Sequence, residues 1–144
     1  MTTSSQRYTL IETHDLDVAA MVSLYDSVGW GAYTCQPEIF PRMLAAASHV
    51  IAAHDDEDLV GIVRVVGDGV TIAVIQDLIV HPDHQRHGLG SELLQEALRT
   101  TSQIRQTYIT TDDAADNRHV VNLYEKHGFR RNSDEGLVTL GLFR

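Results

Sequence analysis

Gln85-Arg86-His87-Gly88-Leu89-Gly90 stands between an apolar stretch ending at Val80 and an amphipathic one starting at Ser91. Glycines at 88 and 90 open backbone angles closed to other residues and let a ligand approach the main chain. A helix that begins here aims unpaired N–H groups, and the positive end of its dipole, at whatever fills the turn. A diphosphate is the natural occupant, and Arg86 brings a positive charge beside it. Taken alone, two glycines are equally consistent with a tight turn that binds nothing. Two phosphate-binding patterns are excluded. A P-loop needs Gly-Lys-Ser/Thr, which is absent, and a dinucleotide fingerprint needs a third glycine where Leu93 stands and a parallel βαβ opening.

The elements around this turn follow from periodicity. Tyr8–Thr13 starts a strand, and Asp15 is the expected N-cap of a helix over Leu16–Ser27. In that helix Val18, Met21, Val22, Tyr25 and Val28 recur at helical spacing and define a buried face. A short second helix is expected from Pro37 to Ala47, with Pro41 near its start. Val50–His54 and Leu59–Val66 flank the polar turn Asp55–Asp58, and Gly67-Asp68-Gly69 leads into a third strand, Val70–Val80. Connections this short join antiparallel strands. Ser91–Thr101 reads as a helix, Arg105–Thr111 as a strand and Asn117–His127 as a helix; Phe129–Arg131 and Leu137–Leu142 read as a terminal strand pair. The class is α+β, with a polar, flexible tail over residues 1–7 and a single domain over 8–144.

Bulk properties narrow the function. At 144 residues with 43% hydrophobic content the chain is long enough for one well-filled core. Its formal charge of −9 opposes nucleic acid as a partner and favours cationic small molecules such as amines. Cys35 is the sole cysteine, so no internal disulfide forms and a cytoplasmic setting is expected. No apolar run approaches the roughly 20 residues of a membrane helix.

Leu78-Ile79-Val80-His81-Pro82, followed by Gln85-x-x-Gly88-x-Gly90, resembles the acetyl-CoA signature of the GNAT N-acetyltransferase superfamily. A second block, Asn117-Arg118-His119-Val120-Val121-Asn122-Leu123-Tyr124-Glu125-Lys126-His127-Gly128-Phe129, is similar to that family's Asn-x-x-Ala-x-x-Leu/Phe-Tyr-x-x-x-Gly-Phe. Val120 departs from the common alanine and would narrow the slot for the pantetheine arm. The resemblance runs from about Tyr8 onward. It implies a mixed, mostly antiparallel sheet of about six to seven strands flanked by about four helices, and acetyl-CoA as cosubstrate.

Carried over by resemblance, the backbone of Leu78, Ile79 and Val80 pairs with pantetheine. Gln85, Arg86, His87, Gly88, Leu89, Gly90 and Ser91 hold the diphosphate, and Asn117 binds near the cofactor's bend. Tyr124 becomes the general acid for the departing CoA thiolate: a phenol of pKa about 10 is protonated at neutral pH and sits close enough to a thiol's ~8.5 to donate. Its alternative role is packing on the Val120–Val121–Tyr124 face. The attacking amine must lose a proton, since an alkylamine of pKa about 10 is only about one part in a thousand neutral at pH 7. Asp77 is the nearest carboxylate, with Gln76 or His81 available to order a relay water; Asp77 as a hydrogen-bonded structural carboxylate is the competing reading. On a regular strand Asp77 and Ile79 share one face while Gln76 and Leu78 take the other, and a bulge would scramble that parity.

Trp30 and Tyr33, with Tyr25 and Phe40, cluster around the Gly29–Gly31 break, a region that forms one wall of the acceptor pocket in the family. Aromatic faces there suit an apolar amine or a held cation. His81, His84 and His87 share a Pro-containing loop without the close ligand pairing of a zinc site, so no metal is expected. The implied activity is acetyl transfer to a primary amine of a small molecule, with a homodimer expected by resemblance. The competing function is a catalytically silent acyl-CoA sensor of the same fold.

Overall fold

The computed structural model describes residues 7–144. Residues 1–6 of the expected tail lie outside the described residues, and Arg7 donates to the Asp55 carboxylate at 2.9 Å. The chain divides into two compact units, one running to Thr110 and the other from Thr111 to Arg144.

The first unit is built on five strands: β1 (Thr9–Glu12), β2 (His49–Asp55), β3 (Asp58–Gly67), β4 (Ile72–Val80) and β5 (Gln106–Ile109). They lie side by side in chain order. β1 to β4 are antiparallel, as the short connections require, and β4 pairs with β5 in parallel. The parallel step needs a crossover, and α4 (Leu89–Thr100) supplies it. Valine and isoleucine dominate β2 to β4, which suits a pleated surface buried on both faces.

β4 starts two residues later than its apolar run suggests. The Asp68 carboxylate accepts from the backbone N–H groups of Val70, Thr71 and Ile72 and from the Thr71 hydroxyl. These bonds, the Thr71 hydroxyl foremost, hold the Asp68 carboxyl far below the usual carboxylate range and extend the turn through Thr71.

Helix α1 (Val18–Ser27) is capped by Asp17, whose side chain accepts from Ala20 N at 3.0 Å. Asp15 instead ties its own N–H to the Thr13 hydroxyl. The expected second helix is two: α2 (Gly31–Thr34) and α3 (Ile39–Ala46). Pro41 is the third residue of α3, where a missing N–H costs no intrahelical bond.

A bulge decides which side chains meet. Arg64 pairs with Asp77 but Val65 pairs with Ile75, leaving Gln76 as an extra residue in β4. Ile62, Arg64, Asp77 and Ile79 therefore share one face, while Val63, Val65, Ile75 and Leu78 share the other. The first face packs under α1 and α3 in a core of Met21, Leu24, Tyr25, Phe40, Leu44, Val50, Ile62 and Ile79. The second lies under α4, which approaches so closely that a Cβ on Gly61 would stand 3.0 Å from Leu93 Cδ1. Parity is preserved from Asp77 to Ile79 and broken at Gln76, so Ile75 and Asp77 are buried on opposite faces.

The second unit contains a 3-10 turn at Ala115–Asn117, helix α5 (Arg118–Lys126) and a second 3-10 turn at Asn132–Glu135. Asp113 accepts from two nitrogens of Arg131. The expected terminal strand pair is absent: among the described residues there is no strand after Ile109. Gly136, with φ of 74°, closes the second turn, and the apolar residues Leu137, Val138, Leu140, Leu142 and Phe143 are exposed. A strand needs a partner edge to satisfy its backbone, and among the described residues this segment pairs with none. Among the described residues the sheet has five strands, flanked by five α-helices, against six to seven and four expected.

Candidate functional site

The loop after β4 is fastened before it reaches the glycines. His81 N donates to Val60 O at 2.8 Å, and His81 Nδ1 accepts from Asp83 N at 3.1 Å, starting the 3-10 turn Pro82–His84. His84 Nδ1 hydrogen-bonds the Tyr8 hydroxyl at 3.2 Å and lies 3.8 Å from Asp55 Oδ2. The Gln85 side-chain amide reaches back to Val80 O at 3.0 Å. Gln85 thus shapes the loop with its side chain and also occupies the carbonyl of Val80.

Beyond this fastening the backbone turns left-handed twice, at Arg86 (φ 65°) and at Gly88 (φ 81°). Gly88 is the N-cap of α4 and offers no side-chain acceptor to the first helical N–H groups. Arg86, His87 and Gly88 are exposed, whereas the Leu89 side chain is sealed in the core. Leu89 and Gly90 can serve a ligand only through their backbone, while Ser91 follows in the first turn of α4. An exposed, uncapped N-terminus of a 12-residue helix is a donor set for an anion.

β4 supplies a second free backbone edge. Its parallel pairing with β5 ends at Ile75–Ile109, so Gln76 through Val80 have a strand neighbour on the β3 side alone. The side chain of Ile79 is buried and those of Leu78 and Val80 are half-buried. What these residues can present along this edge is main chain, as an extended pantetheine amide requires.

The aromatic cluster assembles around Tyr25. Its buried ring meets Trp30, Tyr33 and Phe40 edge-on at centroid distances of 5.9, 5.3 and 5.0 Å. Trp30 and Tyr33, both half-buried, stack at 6.1 Å. The Tyr25 hydroxyl donates to Asp77 Oδ2 at 2.8 Å. Arg64 Nε donates to the same oxygen at 2.9 Å, and the Tyr33 hydroxyl points at Oδ1 from 3.5 Å, a long contact. Burial, followed by the neighbouring Asp77 charge, pushes the Tyr25 phenol far above its usual range, so it remains a donor.

Asp77 is fully buried and already engaged at both oxygens. Oδ2 carries two short hydrogen bonds, whereas Oδ1 faces only the long Tyr33 contact. Gln76, by contrast, projects from the bulge with its side chain exposed. Sequence reading alone did not single out Arg64, although a lone charge inside Val60–Val66 is the signal that could have found it.

In the second unit Asn117 precedes α5. Its side-chain amide donates to Thr111 Oγ1 at 2.9 Å and to Asp112 O at 2.7 Å, so it orders the segment before the helix. Tyr124 is buried, with its ring 6.1 Å from Phe129. Burial pushes its phenol up to about 12. Among the described residues no three histidine, cysteine or acidic side chains are grouped to hold a metal.

The turn, whose backbone N–H groups can receive an anion, follows directly on a strand whose backbone edge opens past Ile75. Residues 46–131 match the family model described as an acetyltransferase (GNAT) domain. The uncharacterised N-acetyltransferase ycf52 of Pyropia yezoensis is 30% identical over 129 residues, covering 87% of this chain and 71% of its own length. A solved GNAT-family acetyltransferase from Streptococcus pneumoniae TIGR4 superposes with a TM-score of 0.82 at 29% identity, covering 95% of this chain and 98% of that one. An aminoglycoside N-acetyltransferase solved in complex with CoA shares the fold, with a TM-score of 0.68 at 13% identity over all of this chain and 98% of its own. The chain belongs to the GNAT acetyltransferase family.

Proposed function

We propose that this protein transfers the acetyl group of acetyl-CoA to a primary amine of a small molecule, directly and within a ternary complex. The observation that carries the reading is the uncapped N-terminus of α4, entered through left-handed Arg86 and Gly88, on the same strand-to-helix connection as the unpaired edge of β4. In this reading the backbone of Arg86–Ser91 holds the diphosphate. The edge of β4 at Leu78–Val80, apart from the Val80 carbonyl that Gln85 occupies, pairs with pantetheine. A main-chain N–H there polarises the thioester carbonyl, and Asn117 meets the cofactor near its bend.

The neutral amine attacks the thioester carbon to form a tetrahedral intermediate. Its collapse breaks the C–S bond, Tyr124 gives its proton to the thiolate, and the amine's surplus proton passes to water or a carboxylate. Tyr124 is protonated at neutral pH, although burial, by raising its pKa, also makes it a weaker donor to the thiolate. Trp30, Tyr33 and Gln76 form the acceptor side, with Asp77, which the Tyr33 hydroxyl faces at 3.5 Å, as the candidate carboxylate. The acceptor is a small amine rather than nucleic acid, consistent with a net charge of −9. No helix among the described residues is long and apolar enough to cross a membrane, and the setting proposed is cytoplasmic. A homodimer belongs to the proposal, because among the described residues β5 is an edge strand and the exposed alternation Val138, Leu140, Leu142 has no strand partner.

One observation favours a second reading. With both Asp77 oxygens engaged, a protein that binds acyl-CoA as a sensor without turnover fits the same fold. Thermal unfolding with and without acetyl-CoA tests both: a ligand at 100 times its Kd stabilises by about 2.7 kcal/mol, and no stabilisation would remove both. CoA release across polyamines, arylalkylamines, amino acids, aminoglycosides and peptide amines then separates them, since turnover with any class excludes the silent sensor.

A further inference from the structure

We infer that Asp77 is a positioning residue: it anchors helix α2 and the Trp30–Tyr33 stack through two tyrosine hydroxyls, and so sets the shape of the acceptor wall. The inference rests on the reading of that wall as the acceptor side and reassigns Asp77 within it.

Helix α2 cannot hold its own position. It has four residues, no side-chain cap and no buried residue of its own, and a single isolated turn of helix is unstable in water. Its place is set by what reaches it from the rest of the unit. Three ties do so. Trp30 N donates to Tyr25 O at 3.1 Å, fixing the entry to the helix. The Thr34 hydroxyl donates to Asp26 Oδ1 at 2.6 Å. The Tyr33 ring packs against both Tyr25 and Trp30, which also touch each other, and its hydroxyl is directed at Asp77 Oδ1.

The last of those ties and the side chain of Tyr25, which both rings of the stack touch, meet at one carboxylate. Tyr25 is the hub of the aromatic cluster, and the one polar atom of its side chain is committed to Asp77 Oδ2. Arg64 Nε fixes that oxygen from the neighbouring strand, and the Gln76 bulge turns Asp77 to the face where α1 packs. A rotation of the carboxylate would move the Tyr25 ring and, with it, every ring in edge contact. A freely exchanging base needs access to the amine and to solvent. Asp77 has neither, being fully buried beneath the rings it holds.

The chain's single tryptophan is Trp30, so its fluorescence reports this wall without any substrate. Emission and acrylamide quenching should be compared for the full-length wild type and for Asp77→Asn, Tyr25→Phe and Tyr33→Phe, with circular dichroism to verify folding. Expected is easier quenching in Asp77→Asn and Tyr25→Phe, a smaller change in Tyr33→Phe because its contact is long, and an acetyl-CoA thermal shift kept in all three. With an amine that the wild type acetylates, KM for the amine should rise about fivefold, the scale of one lost hydrogen bond, while the pH profile of kcat keeps its shape. Wild-type quenching in folded Asp77→Asn would overturn the inference, as would loss of a basic limb from the pH profile with KM unchanged. Should Asp77→Asn fail to fold, Tyr25→Phe decides alone, since it breaks the same link and leaves the Arg64–Asp77 pair in place. Loss of the acetyl-CoA shift in the wild type would instead sink the enzyme reading and leave the fluorescence result standing.

Discussion

Arg64 and Asp77 face each other across β3 and β4, Nε to Oδ2 at 2.9 Å, immediately beside the bulge that sets Gln76 out of register. Their side chains are 11% and 1% exposed, so neither charge can be left alone cheaply. Breaking such a pair from one side costs about 3–5 kcal/mol, whereas apolar replacement of both partners is often neutral. Arg64→Met alone should therefore lower the denaturation midpoint severely. Arg64→Met with Asp77→Leu should recover only part of that loss, because the buried Tyr25 hydroxyl then has no acceptor, and adding Tyr25→Phe should recover most of the rest. A double variant no more stable than the worse single one would show that the pair contributes more than mutual neutralisation.

Much of the first unit was legible because its signals are local. Runs of valine and isoleucine marked β2 to β4, and apolar spacing marked α1 and α4. The glycines of Gln85–Gly90 marked the turn. What was missed depends on partners far along the chain. Asp15 and Asp17 are equivalent caps by type, and the Asp17 bond to Ala20 N decides between them. Arg64 and Asp77 are lone charges in neighbouring apolar runs, but pairing them requires a register that the bulge shifts. The period-two pattern of Val138, Leu140 and Leu142 suits a strand, yet alternation supplies only a face and no edge to bond.

Tyr124→Phe removes one oxygen from a buried ring and leaves its packing with Phe129 intact. If the phenol donates to the departing thiolate, kcat falls by about 10²-fold or more, while the acetyl-CoA thermal shift changes little. Steady-state CoA release measured beside thermal unfolding checks both halves. An unchanged kcat would return Tyr124 to the packing role.

Buried phenols make stability fall at alkaline pH. Tyr124 titrates at about 12 in the folded chain because burial disfavours phenolate, against about 10 when unfolded, and Tyr25 is shifted in the same direction. A raised folded value means that the contribution is full below pH ~10 and is lost as pH climbs toward 12. Tyrosinate absorbance should show Tyr25 and Tyr124 failing to ionise until circular dichroism reports unfolding. All five tyrosines titrating together near pH 10 in the folded state would contradict this.

The turn can be probed at Gly88 without a clash, since a Cβ there would meet nothing within 4 Å. Gly88→Ala acts through the backbone alone, by forcing a side chain into the left-handed region at a cost of about 1–2 kcal/mol. Arg86 already bears such strain at φ 65°, so Arg86→Gly should stabilise the free protein slightly. Acetyl-CoA binding should weaken in both, through altered backbone in the first and a lost charge in the second. Thermal unfolding with and without acetyl-CoA separates the two. Equal binding by wild type and Gly88→Ala would argue against this turn as the diphosphate site.

Gly61 tests whether the position of α4 governs that same turn. A Cβ on Gly61 would lie 3.0 Å from Leu93 Cδ1, 3.2 Å from Ile79 O and 3.4 Å from Ala53 Cβ. The backbone oxygen cannot yield, so the load falls on the Leu93 side chain and on the helix carrying it. Gly61→Val should cost about 1–3 kcal/mol, the usual range for overpacking. Leu93→Ala opens a cavity where valine could expand, so the double variant should be more stable than the sum of the two losses predicts. Because Leu93 lies one turn from the N-terminus of α4, displacement at this contact reaches Leu89 and Gly90, and acetyl-CoA should bind Gly61→Val more weakly than wild type. Strict additivity in the cycle would place the strain at Ile79 O instead, on the strand rather than the helix, and binding at the turn would then be spared.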